Sequence, residues 1–213
     1  MNKLSLTLAL LGLAWQLPAW AGMPEAAAQF AIRTNLAGPL QPTHPNSQRY
    51  GEPWIRVGVR TQTLVAYDGW GRETQRYQVS TSSKGVGELD GSYQTPRGWH
   101  QVCEKIGDGV EENTIIFRRD VTPWKYTPEL HREYPDKDWI LTRILWLCGM
   151  EPGKNKGGNV DSYDRAIYIH GAGEHVPFGS PSSRGCIRMR NREIIALFTT
   201  TPIGTDVMIE ENE

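Results

Sequence analysis

Ile55-Arg56-Val57-Gly58-Val59-Arg60, followed by Thr63-Leu64-Val65-Ala66-Tyr67 and Asp68-Gly69, is the stretch that decides the architecture. Apolar Ile55, Val57 and Val59 alternate with Arg56, Gly58 and Arg60, the two-residue period of a half-buried strand. Thr63 to Tyr67 reads as its neighbour, and Asp68-Gly69 with Gly71 turns the chain into a third strand over residues 76–81. Outward from there, Thr95-Pro96-Arg97-Gly98 is a turn that leads into strands at 99–104 and 114–117. Residues 166–170 read as another strand. Asn191 is expected to cap a short helix through Phe198, and Pro202 and Gly204 end it before a last strand at 206–210. These signals predict a mainly β domain, a β-sandwich or barrel-like sheet pair with a few short helices. The 22 glycines and 14 prolines suit such a turn-rich chain.

Residues 107–164 are less regular. The apolar run at 140–147 suits either a strand or a helix, because periodicity does not separate the two. Trp124, Tyr126, Tyr134 and Trp139 stand in polar, proline-containing sequence, where they serve either as a roof over a ligand or as loop packing.

The N-terminus reads as an export leader. Met1-Asn2-Lys3 is a positive start, residues 4–15 are nearly all apolar, and Ala19-Trp20-Ala21 places small residues at a cleavage site. Gln16 and Pro18 interrupt the run short of the ~20 apolar residues that a spanning helix needs. The expected organisation is a signal peptide at 1–21 cleaved after Ala21, a linker at 22–50 and a catalytic domain at 51–213. The product would be periplasmic or secreted, with no membrane span once the leader is removed. A formal net charge of −1 argues against nucleic acid as a partner.

Three cysteines in an exported chain leave at least one thiol unpaired within the monomer. Sequence allows any of three pairings. A bridge between Cys103 and Cys148 would leave Cys186 free, and Cys186 stands in the most informative stretch of the chain.

That stretch is Ile169-His170-Gly171, then Ser182-Ser183-Arg184-Gly185-Cys186-Ile187-Arg188-Met189. Glycine beside cysteine lets a substrate carbonyl approach the backbone and leaves amides for an oxyanion. Arg184 and Arg188 bracket the thiol with positive charge, which is expected to favour the thiolate. His170, sixteen positions earlier, can return across the intervening loop as general base and later as acid. A buried structural cysteine beside a strand histidine is the competing reading, but Gly-Cys between two arginines is a poor core sequence.

These residues resemble the catalytic domain of the L,D-transpeptidase family. The family's signature is His-Gly at a strand end, a loop, then Ser-His-Gly-Cys-Ile/Val-Arg-Leu/Met and a short helix. Here it is matched by His170-Gly171, Ser183-Arg184-Gly185-Cys186-Ile187-Arg188-Met189 and the helix at Asn191. Residues 56–67 look like the family's opening strands, and Thr95-Pro96-Arg97-Gly98 looks like its Thr-Pro-x-Gly turn. The resemblance spans residues 54–209.

The resemblance implies Cys186 as nucleophile and His170 as base. Gly171 would orient the imidazole through its carbonyl, and the amides of Gly185 and Cys186 would face the oxyanion. Ser183 would stand beside the substrate; Arg188 reads as a clamp on a substrate carboxylate or on the loop, and Arg184 as a charge that either stabilises the thiolate or oxyanion or binds a substrate carboxylate. The implied partner is the peptide stem of peptidoglycan, with no cofactor and no metal. Where the family carries a second histidine two residues before the cysteine, this chain has Arg184. Arginine stays protonated and cannot accept the thiol proton, so the base role falls on His170 alone. The implied reaction is transpeptidation through a thioester. The alternatives are a hydrolytic relative (an L,D-carboxypeptidase or wall-protein-detaching amidase) and a non-catalytic wall-binding protein on the same scaffold. His175, in the loop between His170 and Cys186, reads chiefly as an exposed loop histidine that can also line a pocket.

Overall fold

A computed structural model of the chain describes residues 51–212. The expected leader and linker lie outside the described residues. Among the described residues ten strands form one hydrogen-bonded sheet. In chain order they are β1 (Trp54–Gly58), β2 (Thr63–Tyr67), β3 (Glu73–Gln78), β4 (Gly98–Ile106), β5 (Thr114–Phe117), β6 (Asp120–Lys125), β7 (Leu141–Gly149), β8 (Tyr168–Ala172), β9 (Ile187–Arg190) and β10 (Asp206–Glu210). Among the described residues two α-helices accompany them, α1 (Pro128–Glu133) and α2 (Asn191–Thr200). The mainly β architecture is therefore the observed one, with the strands joined into a single sheet.

The strands run in the order β3-β2-β1-β10-β4-β7-β5-β6, while β8 pairs with β7 and carries β9. Two contacts, β1 with β10 and β8 with β9, are parallel. The apolar run at 140–147 becomes β7, a strand buried on both faces, which explains why it lacks alternation. Its Leu145 and Leu147 join the main core with Ile169, Ile187, Leu197 and Phe198. Ile144 and Trp146 point the other way, into a second cluster with Tyr168 and Ile116. That second face carries the site.

Three local expectations change. The third strand ends at Gln78 rather than near Thr81. Residues 80–83 leave it to bond the motif loop instead: Ser80 and Arg188 exchange backbone hydrogen bonds of 3.0 and 2.9 Å, and the Ser83 amide donates to the Ser183 carbonyl at 3.0 Å. Asn191 is not the cap of its helix; Arg190 occupies that position without a side-chain bond. The Asn191 amide group is instead buried between Thr142 Oγ1 and Asn113 Oδ1, each at 2.7 Å. The irregular region contains α1, capped by Thr127 with Pro128 in its first turn.

The bridge joins Cys103 to Cys148, on the neighbouring strands β4 and β7, with their Cα atoms 5.8 Å apart. Cys186 keeps a free thiol.

Candidate active site

The parallel register of β8 and β9 sets His170 against Arg188 and Ile169 against Ile187. Cys186, the bend residue just before β9, lies beyond that register but packs against the second cluster with Tyr168. Registered neighbours in a parallel pair share a face, so Tyr168, His170, Cys186 and Arg188 project to one side while Ile169 and Ile187 enter the main core. Cys186 and His170 share that face, and both feel the charge of Asp138.

His170 is fully buried. Its Nδ1 lies 2.9 Å from the Gly171 carbonyl oxygen. A carbonyl only accepts, so Nδ1 carries the proton and Nε2 is left with its lone pair. Nε2 is buried and has no hydrogen-bond partner among the described residues. Burial holds the imidazole below its ordinary pKa, against the upward pull of Asp138. The resting ring is a neutral acceptor at Nε2.

Glycine at 171 is a packing requirement. A Cβ there would sit 2.4 Å from Asn191 Oδ1 and 2.6 Å from the Leu141 carbonyl. Gly185 answers a conformational one, with φ at +126° where the chain turns to present Cys186.

The thiol of Cys186 is half-buried and packs against the Ile144, Trp146 and Tyr168 cluster. Its proton is directed at the Ala166 carbonyl, 3.4 Å away, rather than at the imidazole. Burial first, and the Asp138 charge second, push the thiol pKa up to about 12. The expected thiolate is therefore not the resting form. Arg188 opposes the rise, but its guanidinium is bound by Asp138 at 2.7 Å, so much of its charge is answered locally. Arg184 is exposed, and its Nη2 donates to the Asp136 carbonyl at 3.3 Å.

The remaining motif residues hold the loop. Ser183 Oγ donates to the Cys186 carbonyl at 2.6 Å and accepts from the Gly185 amide at 3.2 Å. The Gly185 amide expected to face an oxyanion is thus occupied by a side chain.

Three residues went unread in the sequence. Thr95, noted there only as part of a turn, donates to the Gly185 carbonyl at 2.9 Å and accepts from the Ser82 amide at 3.1 Å. Arg165 bonds the carbonyls of Glu88 and Gln94, each at 2.7 Å, behind the same loop. Asp138, in the irregular region, is the acid that faces both His170 and Cys186 electrostatically. Only Thr95 had a usable signal, the Thr-Pro-x-Gly turn.

Two clefts flank the loop and share Arg184. One, of about 250 Å³, is lined by His131, Asp136, Asp138, His175, Arg188 and Arg184 among others. His175 is exposed as expected, yet also built in: its ring stacks on His131 at 3.6 Å, and its Nδ1 lies 2.7 Å from the Tyr126 hydroxyl. Trp139 is buried in the wall with Tyr126 buried against it, their ring centroids 5.7 Å apart, whereas Trp124 is exposed. The other cleft, of about 400 Å³, is lined by Ser83, Lys84, Tyr93, Ser183 and Arg184.

Residues 52–209 match the model of the family described as YkuD, the L,D-transpeptidase catalytic domain. The probable L,D-transpeptidase ErfK/SrfK of Escherichia coli strain K12 is 26% identical over 187 residues, 88% of this chain and 50% of that protein. Its namesake in Salmonella typhimurium is 29% identical over 176 residues, 83% of this chain and 49% of that one. The chain thus spans about half the length of these curated relatives. A solved structure of Bdellovibrio bacteriovorus Bd1075 aligns with 78% of this chain and 50% of its own, at 15% identity and a TM-score of 0.49.

Proposed function

Because the chain belongs to the L,D-transpeptidase catalytic domain family, we propose that it is a cysteine-dependent acyltransferase acting on the peptide stems of peptidoglycan. The observation that carries this reading is the shared face of Cys186 and His170, with a free thiol on one and an unpartnered buried Nε2 on the other.

The resting pair is a neutral thiol and a neutral imidazole, so the nucleophile is made during engagement. The Cys186 proton moves to His170 Nε2, and the sulfur attacks the carbonyl between diaminopimelate and the terminal D-alanine of a tetrapeptide stem. Gly171 fixes the tautomer that keeps Nε2 open. The resulting imidazolium sits beside Asp138, whose charge favours it. His170 then returns the proton to the leaving amine, D-alanine departs, and a thioester remains on Cys186. An amine resolves it to a cross-link or an attached protein, and water resolves it to a shortened stem. We assign residues 1–21 as a cleaved leader, 22–50 as a linker and 51–213 as the catalytic domain, which places the enzyme outside the cytoplasm. Among the described residues no helix is long and apolar enough to cross a membrane.

The test is incubation with purified disaccharide-tetrapeptide, followed by mass spectrometry of the products. Dimers establish transfer, and D-alanine loss without dimers establishes hydrolysis. If neither forms, the chain is a binding protein on an enzyme's scaffold.

A further inference from the structure

The two clefts beside the motif loop differ in charge. The smaller contains two carboxylates, Asp136 and Asp138, among its cations. The larger contains two cations, Lys84 and Arg184, with three hydroxyl-bearing side chains and no acid. Among the described residues neither Lys84 nor Arg184 has a carboxylate within ion-pair distance. Glu88, the acid of the same segment, is held by Arg97 at 2.8 Å.

Resting on the proposed function, we infer that this second cleft is a seat for a carboxylate: the free α-carboxylate of a peptide stem, gripped between Lys84 and Arg184.

The cleft is built for such a group. Its Ser183 wall is hydrogen-bonded to the Cys186 carbonyl, so a ligand lying there abuts the loop that bears the thiol. The backbone of Lys84 is fixed at both ends, its amide donating to Ser82 Oγ at 2.9 Å and its carbonyl accepting from Gln94 Nε2 at 3.0 Å. The ammonium lies 4.9 Å from the centre of the Tyr93 ring. A cation over a ring face is oriented without being neutralised, so its charge stays available to an anion. Arg184 adds a planar fork of donors matched to a carboxylate. It stands where the family carries a histidine, and so exchanges a titratable ring for a permanent anion-binding group. In the smaller cleft Asp136 and Asp138 offset the charges of Lys137, Arg184 and Arg188, so it draws an anion less strongly.

Two readouts test the assignment. The first needs no turnover: the rate at which iodoacetate modifies Cys186, divided by the rate for neutral iodoacetamide. Lys84→Met should lower this ratio about five- to tenfold, on the scale of one ordinary hydrogen bond. Arg184→Gln should act in the same direction, and Lys84→Arg should restore it. The second readout compares a tetrapeptide acid with its C-terminal amide, once as donor and once as acceptor. In the parent the acid should be preferred in one role, and Lys84→Met should abolish that preference in the same role, which identifies whose carboxylate is bound. If the reagent ratio falls but no stem is turned over, the carboxylate seat stands and the peptidoglycan reading fails. If the ratio and the acid preference are both unmoved by Lys84→Met, the seat is refuted, whatever the turnover.

Discussion

The Asp138 carboxylate lies 2.7 Å from the Arg188 guanidinium, and this pairing adds to the burial that protects the thiol next to it. Two arginines flanking a cysteine suggest a ready thiolate, but one of them is held by an acid from a distant segment. That acid also raises the thiol directly. A protected thiol in the resting site suits a nucleophile that is made only when substrate arrives.

Asp138→Asn removes that negative charge, so the thiol pKa falls and the thiolate fraction at a fixed pH rises. Iodoacetamide should modify Cys186 several-fold faster at pH 8 in the variant, since each unit of pKa changes the thiolate fraction about tenfold. The same change weakens the clamp on Arg188 and should cost about 2 kcal/mol of stability by denaturant titration. Unchanged alkylation would mean that burial alone sets the thiol.

His100 predicts an acid-side loss of stability independent of the active site. It is fully buried, bonded to the Gly98 carbonyl at 3.0 Å and Ser162 Oγ at 2.9 Å. Burial lowers its pKa from 6.5 to about 4. Between those values the unfolded chain binds a proton that the folded chain refuses, so stability is complete above pH 6.5 and declines as pH falls toward 4. The contribution is up to ~3 kcal/mol. Urea midpoints measured from pH 7 to 4 should fall accordingly, and His100→Gln should flatten the slope.

Much of this was legible in the sequence because the signals were local. Period-two alternation located β1, the run before Asp68-Gly69 located β2, and the stretch around Cys186 located the site. What escaped depended on distant contacts. β7 is buried on both faces and has no alternation to read. Helix α1 buries no residue, so it leaves no apolar stripe, although Thr127-Pro128-Glu129 is an N-terminal signature. Asn191 looked like a cap because caps are common; its amide was needed instead to tie the helix start to Thr142 and Asn113. The state of the thiol depended on burial and on Asp138, neither of which a motif records.

Cys103 and Cys148 close a loop across 45 residues, and cross-links of that size are worth about 2–4 kcal/mol. The double variant Cys103→Ser, Cys148→Ser should lose that much in denaturant unfolding. Thiol counting of the parent in denaturant without reductant should return one group, and three would rule the bridge out.

The most direct test of the account is mass spectrometry of the protein quenched in acid during reaction with a tetrapeptide donor. The expected result is a mass gain equal to the donor minus D-alanine, mapped to the peptide containing Cys186, absent in Cys186→Ala and strongly reduced in His170→Gln. D-alanine release that persists in Cys186→Ala, with no adduct on the parent, would contradict it.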